Sequence, residues 1–187
     1  QVVQAFGVLT QGRPDSLASL PSFAGVMKPC RAALPEAAPP LRWFVDPLQF
    51  AEAWQATQSP RERKKKKGPD YVAILGRQGF DVVKAAGGLV AFSDGAYGIR
   101  HHAMIYAPPL AGREPMAVDC YDGAARMLRF PNMKTPRPQP WVPADVSGWS
   151  VLQWDMKTAF VAAEPLVDDI VGDKGVYDDV IASLKED

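Results

Sequence analysis

The stretch from Gly87 to Pro109, GGLVAFSDGAYGIRHHAMIYAPP, sets the strongest limit on how this chain folds. A short apolar run, Leu89 to Phe92, leads to Asp94-Gly95, and a second extended run continues from Tyr97 to Ala107. Asp-Gly between two strand-like runs marks a tight hairpin, because such a turn needs positive φ and these residues tolerate it. A hairpin pairs its strands antiparallel, so a purely parallel sheet is excluded. The expected fold class is α+β, a mainly antiparallel sheet of about four to six strands with helices packed on one face. A doubly wound α/β domain is the alternative.

The flanking sequence supplies elements of both kinds. Val2 to Leu9 reads as a strand, and Asp15 as the N-cap of a helix carrying Leu17, Leu20 and Phe23 that Pro21 keeps short. Val26 to Leu34 reads as a second short helix. Leu41 to Val45 is a strand stopped by Asp46-Pro47, a cap and a first-turn proline for a helix bearing Leu48, Phe50, Ala51, Ala53 and Trp54. Asp70 opens another short helix to Gly76, and Phe80 to Ala86 reads as helix with strand as the alternative. Met116, Cys120, Ala124, Met127 and Leu128 fall on one face of a helix spanning Met116 to Phe130. Trp149 to Met156 alternates as a strand. The following helix buries Ala159, Phe160, Ala163, Leu166, Val167 and Ile170, and Pro165 kinks or divides it. A last amphipathic helix carries Val176, Val180, Ile181 and Leu184. The segments 41–54 and 151–166 share a strand–Asp–helix grammar that suggests two related units.

A length of 187 residues suits a single domain, 1–187, and 47% hydrophobic with 22% charged residues is globular composition. The 18 prolines, near twice the usual share of about 5%, favour short elements and fixed turns. The chain's 21 basic and 21 acidic residues cancel, which argues against a nucleic-acid partner. The one charge block, Arg61 to Lys67, reads as a solvated loop, with contact to an anionic surface as the alternative. No apolar run is long enough for a transmembrane helix. The chain opens on Gln1 and stops at Asp187 inside a helical pattern, so a processed or excised part of a longer protein is expected.

Candidates for chemistry are few. The only two histidines, His101 and His102, are adjacent on the second hairpin strand. Strand alternation puts Tyr97, Ile99, His101, Ala103 and Ile105 on one face, and Arg100, His102, Met104 and Tyr106 on the other. The first set is the more apolar and is expected to face the core, leaving Arg100 and His102 nearer water. Neighbouring strand residues point apart, so the pair does not chelate one metal, and neither metal nor cofactor is expected. For acid–base work the candidates are His102, Arg100 and a carboxylate such as Asp94. Cys30 and Cys120 fit no zinc or CxxC spacing and read as two buried small side chains, a disulfide or a reactive thiol. Phosphate-loop, GxSxG, HExxH and dinucleotide signatures are absent.

Five segments carry a likeness to known sequences: LRWFVDPLQFAEA (41–53), GRQGFDVVKAAGG (76–88), AARMLRFPN (124–132), PQPWVPADVSGW (138–149) and GVYDDVIASLKED (175–187). In these the chain resembles a planctomycetal-type family of long exported bacterial proteins of unknown function. The resemblance implies an N-terminal signal sequence, a longer C-terminal continuation and a periplasmic or cell-surface location. It implies no activity, cofactor or catalytic residue. The function expected is a non-catalytic structural or binding module of a larger exported cell-envelope protein. Its expected partner is protein, either the rest of its own chain or another subunit. The alternatives are a hydrolase-type enzyme completed by the rest of the chain, and a self-assembling or subunit-interaction domain.

Overall fold

In the computed structural model, which describes residues 16–35, 38–57, 68–92, 98–131 and 137–186, the Gly87–Pro109 stretch supplies two antiparallel strands. The expectations for Val2–Leu9, Asp15, Arg61–Lys67 and the Asp94-Gly95 turn lie outside the described residues. The fold class is α+β, with three antiparallel strands and a set of helices among the described residues. These elements are distributed over two compact units, Gln1–Lys66 with Val83–Pro108, and Lys67–Val82 with Pro109–Asp187.

The first unit is a helix on a sheet. A 3-10 turn, Leu17–Ser19, leads into α1, Pro21–Ala33. Pro21 opens this helix at its first position, where the missing N–H costs nothing, and does not limit a preceding one. The strands are β1 (Leu41–Val45), β2 (Ala85–Phe92) and β3 (Ile99–Tyr106), with β2 central. Between β1 and β2 in the chain comes α2, Pro47–Thr57, whose start is fixed as expected when Asp46 Oδ1 accepts the Gln49 amide at 3.0 Å. Phe50 and Trp54, expected on a buried stripe of α2, are instead exposed.

The core of this unit lies between α1 and the sheet: Val26, Cys30, Leu34, Ala85 and Leu89, joined by Met27, Phe44, Met104 and Tyr106. Two close approaches make the layer thin. The Tyr106 ring lies over Gly25, where a Cβ would come within 2.7 Å of it. A Cβ on Gly87 would stand 2.8 Å from Val26 Cγ1 and 2.7 Å from the Trp43 carbonyl oxygen. Phe80–Val82 is a 3-10 turn, and β2 begins at Ala85, within the Phe80–Ala86 stretch expected to be helical.

The second unit is mostly helical. α3, Tyr71–Arg77, is capped by Asp70, which accepts the Ala73 amide at 3.2 Å. The long helix expected over Met116–Phe130 is not formed. Met116 has φ 69°, Gly123 has φ 55°, and only a 3-10 helix, Gly123–Leu128, remains. Gly123 packs so close to Gln78 that a Cβ would stand 2.8 Å from its carbonyl oxygen, and the Ala125 amide bonds that same oxygen at 3.0 Å. Those tertiary contacts override the helical periodicity.

The strand expected over Trp149–Met156 is also absent; among the described residues no strand lies beside it to accept a ladder. The segment instead serves as an N-terminal anchor for α4, Met156–Val171. Asp155 takes the Thr158 amide at 3.1 Å, the Thr158 hydroxyl at 2.9 Å and the Arg129 guanidinium at 2.6 Å. Trp154 stacks on Phe130, centroids 5.8 Å apart, and donates its indole N–H to the Met127 carbonyl. The second half of the suggested strand–helix duplication therefore lacks its strand.

α4 runs unbroken through Pro165 and packs on the 3-10 helix, with Ala159 and Ala162 of the one and Ala124 and Ala125 of the other buried. Phe160, expected on that buried face, is exposed and meets Tyr177 edge-on at 5.5 Å. α4 ends at Gly172, in the left-handed conformation. Asp168 accepts the amides of Gly175 (2.9 Å) and Tyr177 (3.2 Å), which fixes the turn into α5, Val176–Glu186.

Candidate functional site

The chemistry-bearing residues of the first unit are sorted by the sheet register. Reading across β1, β2 and β3, Arg42 is opposite Leu89 and Leu89 opposite His102; Phe44 is opposite Gly87 and Gly87 opposite Met104. Ala91 pairs with Arg100, and Ala85 with Tyr106. This is the face that α1 covers, since Leu89, Ala85, Met104 and Tyr106 belong to the core. The core face expected for β3 is thus reversed, since the Arg100–His102–Met104–Tyr106 set faces the helix, while His102 itself is exposed as expected. Both sets contain enough apolar surface to be covered, and the position of α1 decides which one is.

The other face collects Leu41, Val90 and His101 in one row, then Trp43, Gly88 and Ala103, then Val45, Ala86 and Ile105, with Phe92 opposite Ile99 at the end. None of these eleven residues carries a formal charge. Leu41, Phe92, Ile99 and Ile105 are 46%, 54%, 65% and 60% exposed. A soluble surface seldom leaves such a run of large apolar side chains uncovered, and where it does the patch usually marks a contact site. One polar contact crosses the face. The Trp43 indole passes over Gly88, where a Cβ would stand 2.9 Å from Nε1, and donates its N–H to His101 Nε2 at 3.1 Å. His101, expected in the core, is instead exposed, its Nε2 accepting this indole N–H.

His102 is also exposed, and among the described residues no carboxylate bonds to it. Arg100 donates to the Ala33 carbonyl at 3.3 Å, an anchor between β3 and the end of α1. Asp94 lies outside the described residues. Cys30 and Cys120 are both free and buried, one in each unit. Cys30 sits in the α1 core, where burial pushes its thiol up from the usual value. Among the described residues no group of three His, Cys, Asp or Glu side chains is placed to hold a metal ion.

A cleft of about 250 Å³ opens beside α1, lined by Phe23, Met27, Arg31, Arg42 and Leu89. No candidate chosen from the sequence lines it. The signals were present but weak: Arg42 shares its strand face with Phe44, and Arg31 lies one helical turn beyond Met27.

Charge is also distributed unevenly. From the sequence, the first unit holds 11 Lys and Arg against 6 Asp and Glu, a formal +5, and the second holds 10 against 15, a formal −5. The neutrality of the whole chain is a cancellation between the two. Among the described residues no helix is long and apolar enough to cross a membrane. Compared with known proteins, the chain matches no protein-family model, and no curated protein or solved structure matches it significantly.

Proposed function

We propose that this chain is a non-catalytic binding module of a larger exported cell-envelope protein, and that it works by closing the uncovered face of its sheet against protein. The observation that carries the reading is the uncharged face itself, with Leu41, Phe92, Ile99 and Ile105 turned to water. β2, with the sequence AAGGLVAF, is a continuous apolar run, the pattern of a strand covered on both sides. Only α1 supplies such cover within this unit among the described residues. The exported location rests on the resemblance of the five segments, and the hydrolase alternative loses its best candidate because His102 is solvent-exposed with no carboxylate partner among the described residues.

The occupant that fits this face is a second copy of the chain. The first unit is otherwise net positive, yet the face carries no charge, so two copies stack face to face at about 10 Å without repulsion in the contact. Sedimentation velocity over a range of concentrations tests this. The chain is expected to self-associate, and Ile99→Lys with Ile105→Lys to abolish association while far-UV circular dichroism stays the same. A monomer at every concentration refutes the reading, and so does association that persists in the double variant.

A further inference from the structure

A cleft lies on the opposite, helix-covered side of the sheet, and its chemistry differs from that of the open face. The cleft beside α1 has an apolar floor, Phe23, Met27 and Leu89, and two guanidinium groups in its wall, Arg31 from the last turn of α1 and Arg42 from β1. Leu89 is buried at 2% exposure, whereas Arg31 and Arg42 are exposed, so the charges stand at the mouth and the hydrocarbon below. Neither arginine side chain has a hydrogen-bond or ion-pair partner among the described residues, in contrast to Arg100 on Ala33 and Arg129 on Asp155. The described acids of this unit do not compete for them: Asp46 is engaged at the start of α2, and Glu52 lies on α2 itself.

Two arginines line the one cleft, and an anion seated there is attracted by both. A guanidinium presents paired N–H donors that match a carboxylate. A bare inorganic anion would leave the Phe23–Met27–Leu89 floor wet, so the ligand also needs an apolar body. The volume sets its size: about 250 Å³, at ~30 Å³ per water-sized group, admits roughly eight non-hydrogen atoms. We infer that this cleft binds a small amphiphilic carboxylate, with its carboxylate held by Arg31 and Arg42 and its short hydrocarbon body on Phe23, Met27 and Leu89. This inference is independent of the protein-binding reading, which concerns the other face of the sheet.

Hexanoate, with eight non-hydrogen atoms, is the probe, and the chain labelled with 13C at its methionine methyl groups gives a local readout. Titration with hexanoate is expected to shift the Met27 methyl resonance in a saturable way, while 1-hexanol and inorganic phosphate at the same concentrations do so at least about tenfold more weakly, each lacking one half of the recognition. Arg31→Gln and Arg42→Gln are exposed replacements that leave circular dichroism unchanged, and each is expected to weaken hexanoate about tenfold or more. Equal binding of hexanol would show that the arginines play no part, with Arg31 serving only the helix C-terminus. Equal binding of phosphate would show that the apolar floor plays none. Either result overturns the inference, as does a Met27 resonance that hexanoate does not move, or hexanoate binding unchanged in both variants.

Discussion

Gly87 in the middle of β2 offers a direct test of how tightly α1 and the sheet are packed. Replacing it with alanine places a Cβ 2.7 Å from the Trp43 carbonyl oxygen, 2.8 Å from Val26 Cγ1 and 3.4 Å from Met27 Cε. The first two are below any normal carbon contact. The Trp43 carbonyl belongs to β1, paired with β2 across this register, and Val26 is fully buried and stiff at its branched Cβ, so neither yields cheaply. Overpacking of this kind costs about 1–3 kcal/mol. Against it stands the reduced freedom of the unfolded chain, which favours alanine by about 0.4–1 kcal/mol. The clash wins, and Gly87→Ala is expected to destabilise the first unit by about 1–2 kcal/mol.

Gly76, in the last turn of α3, is the matched control. A Cβ there meets nothing within 4 Å and its φ is not positive, so alanine is expected to stabilise the second unit by up to about 1 kcal/mol. Urea denaturation followed by circular dichroism reads the sum. Hydrogen exchange of the β2 and α3 amides assigns each change to its unit. With a urea dependence of about 2 kcal/mol per molar, the Gly87→Ala midpoint moves down by roughly half to one molar. If Gly87→Ala proves as stable as the parent, the close packing of β2 against α1 and β1 is wrong.

The carboxyl of Asp155 is held below its usual range, first by the Thr158 amide and hydroxyl and then by Arg129 and Lys157, with desolvation opposing them. A folded value below the unfolded one of about 3.9 stabilises fully above that value and loses its effect as pH falls through the folded one, so Asp155→Asn is expected to be less stable than the parent at neutral pH and to converge with it in strong acid. A stability gap, measured by urea midpoints, that stays constant or widens in acid refutes this. For the cysteines, thiol-reagent kinetics are expected to show two slow groups in the native chain and two fast ones in denaturant, because both Cys30 and Cys120 are free and buried. Denatured protein without titratable thiols, and two mass units light, would show them linked.

The start signals of the helices were legible because they are local. Asp46-Pro47, Asp70 and the Leu41–Val45 strand appear where the residues place them, since a cap or a proline acts within four residues of itself. The antiparallel pairing of β2 and β3 was equally legible from the apolar runs on either side of Asp94-Gly95. Two periodic segments misled for one reason. Met116–Phe130 has helical spacing and Trp149–Met156 strand spacing, but the contact between Gly123 and Gln78 breaks the first, and the second has no neighbouring strand among the described residues.

The candidate site shows the same division more sharply. Alternation along β3 separates His101 from His102 whatever the rest of the chain does, and that separation holds. Which of the two faces meets the core depends on where α1 lies, some seventy positions earlier in the chain, and no short-range pattern in β3 encodes it. Tertiary packing alone turned Ile99, His101 and Ile105 to water, laid the Trp43 indole across Gly88, and brought Arg31 and Arg42 to one cleft. The sequence by itself determined the periodicity and the local stops, which are properties of neighbouring residues; the choice of buried face, and with it the open face and the cleft, is a property of layers that meet only when the chain is folded.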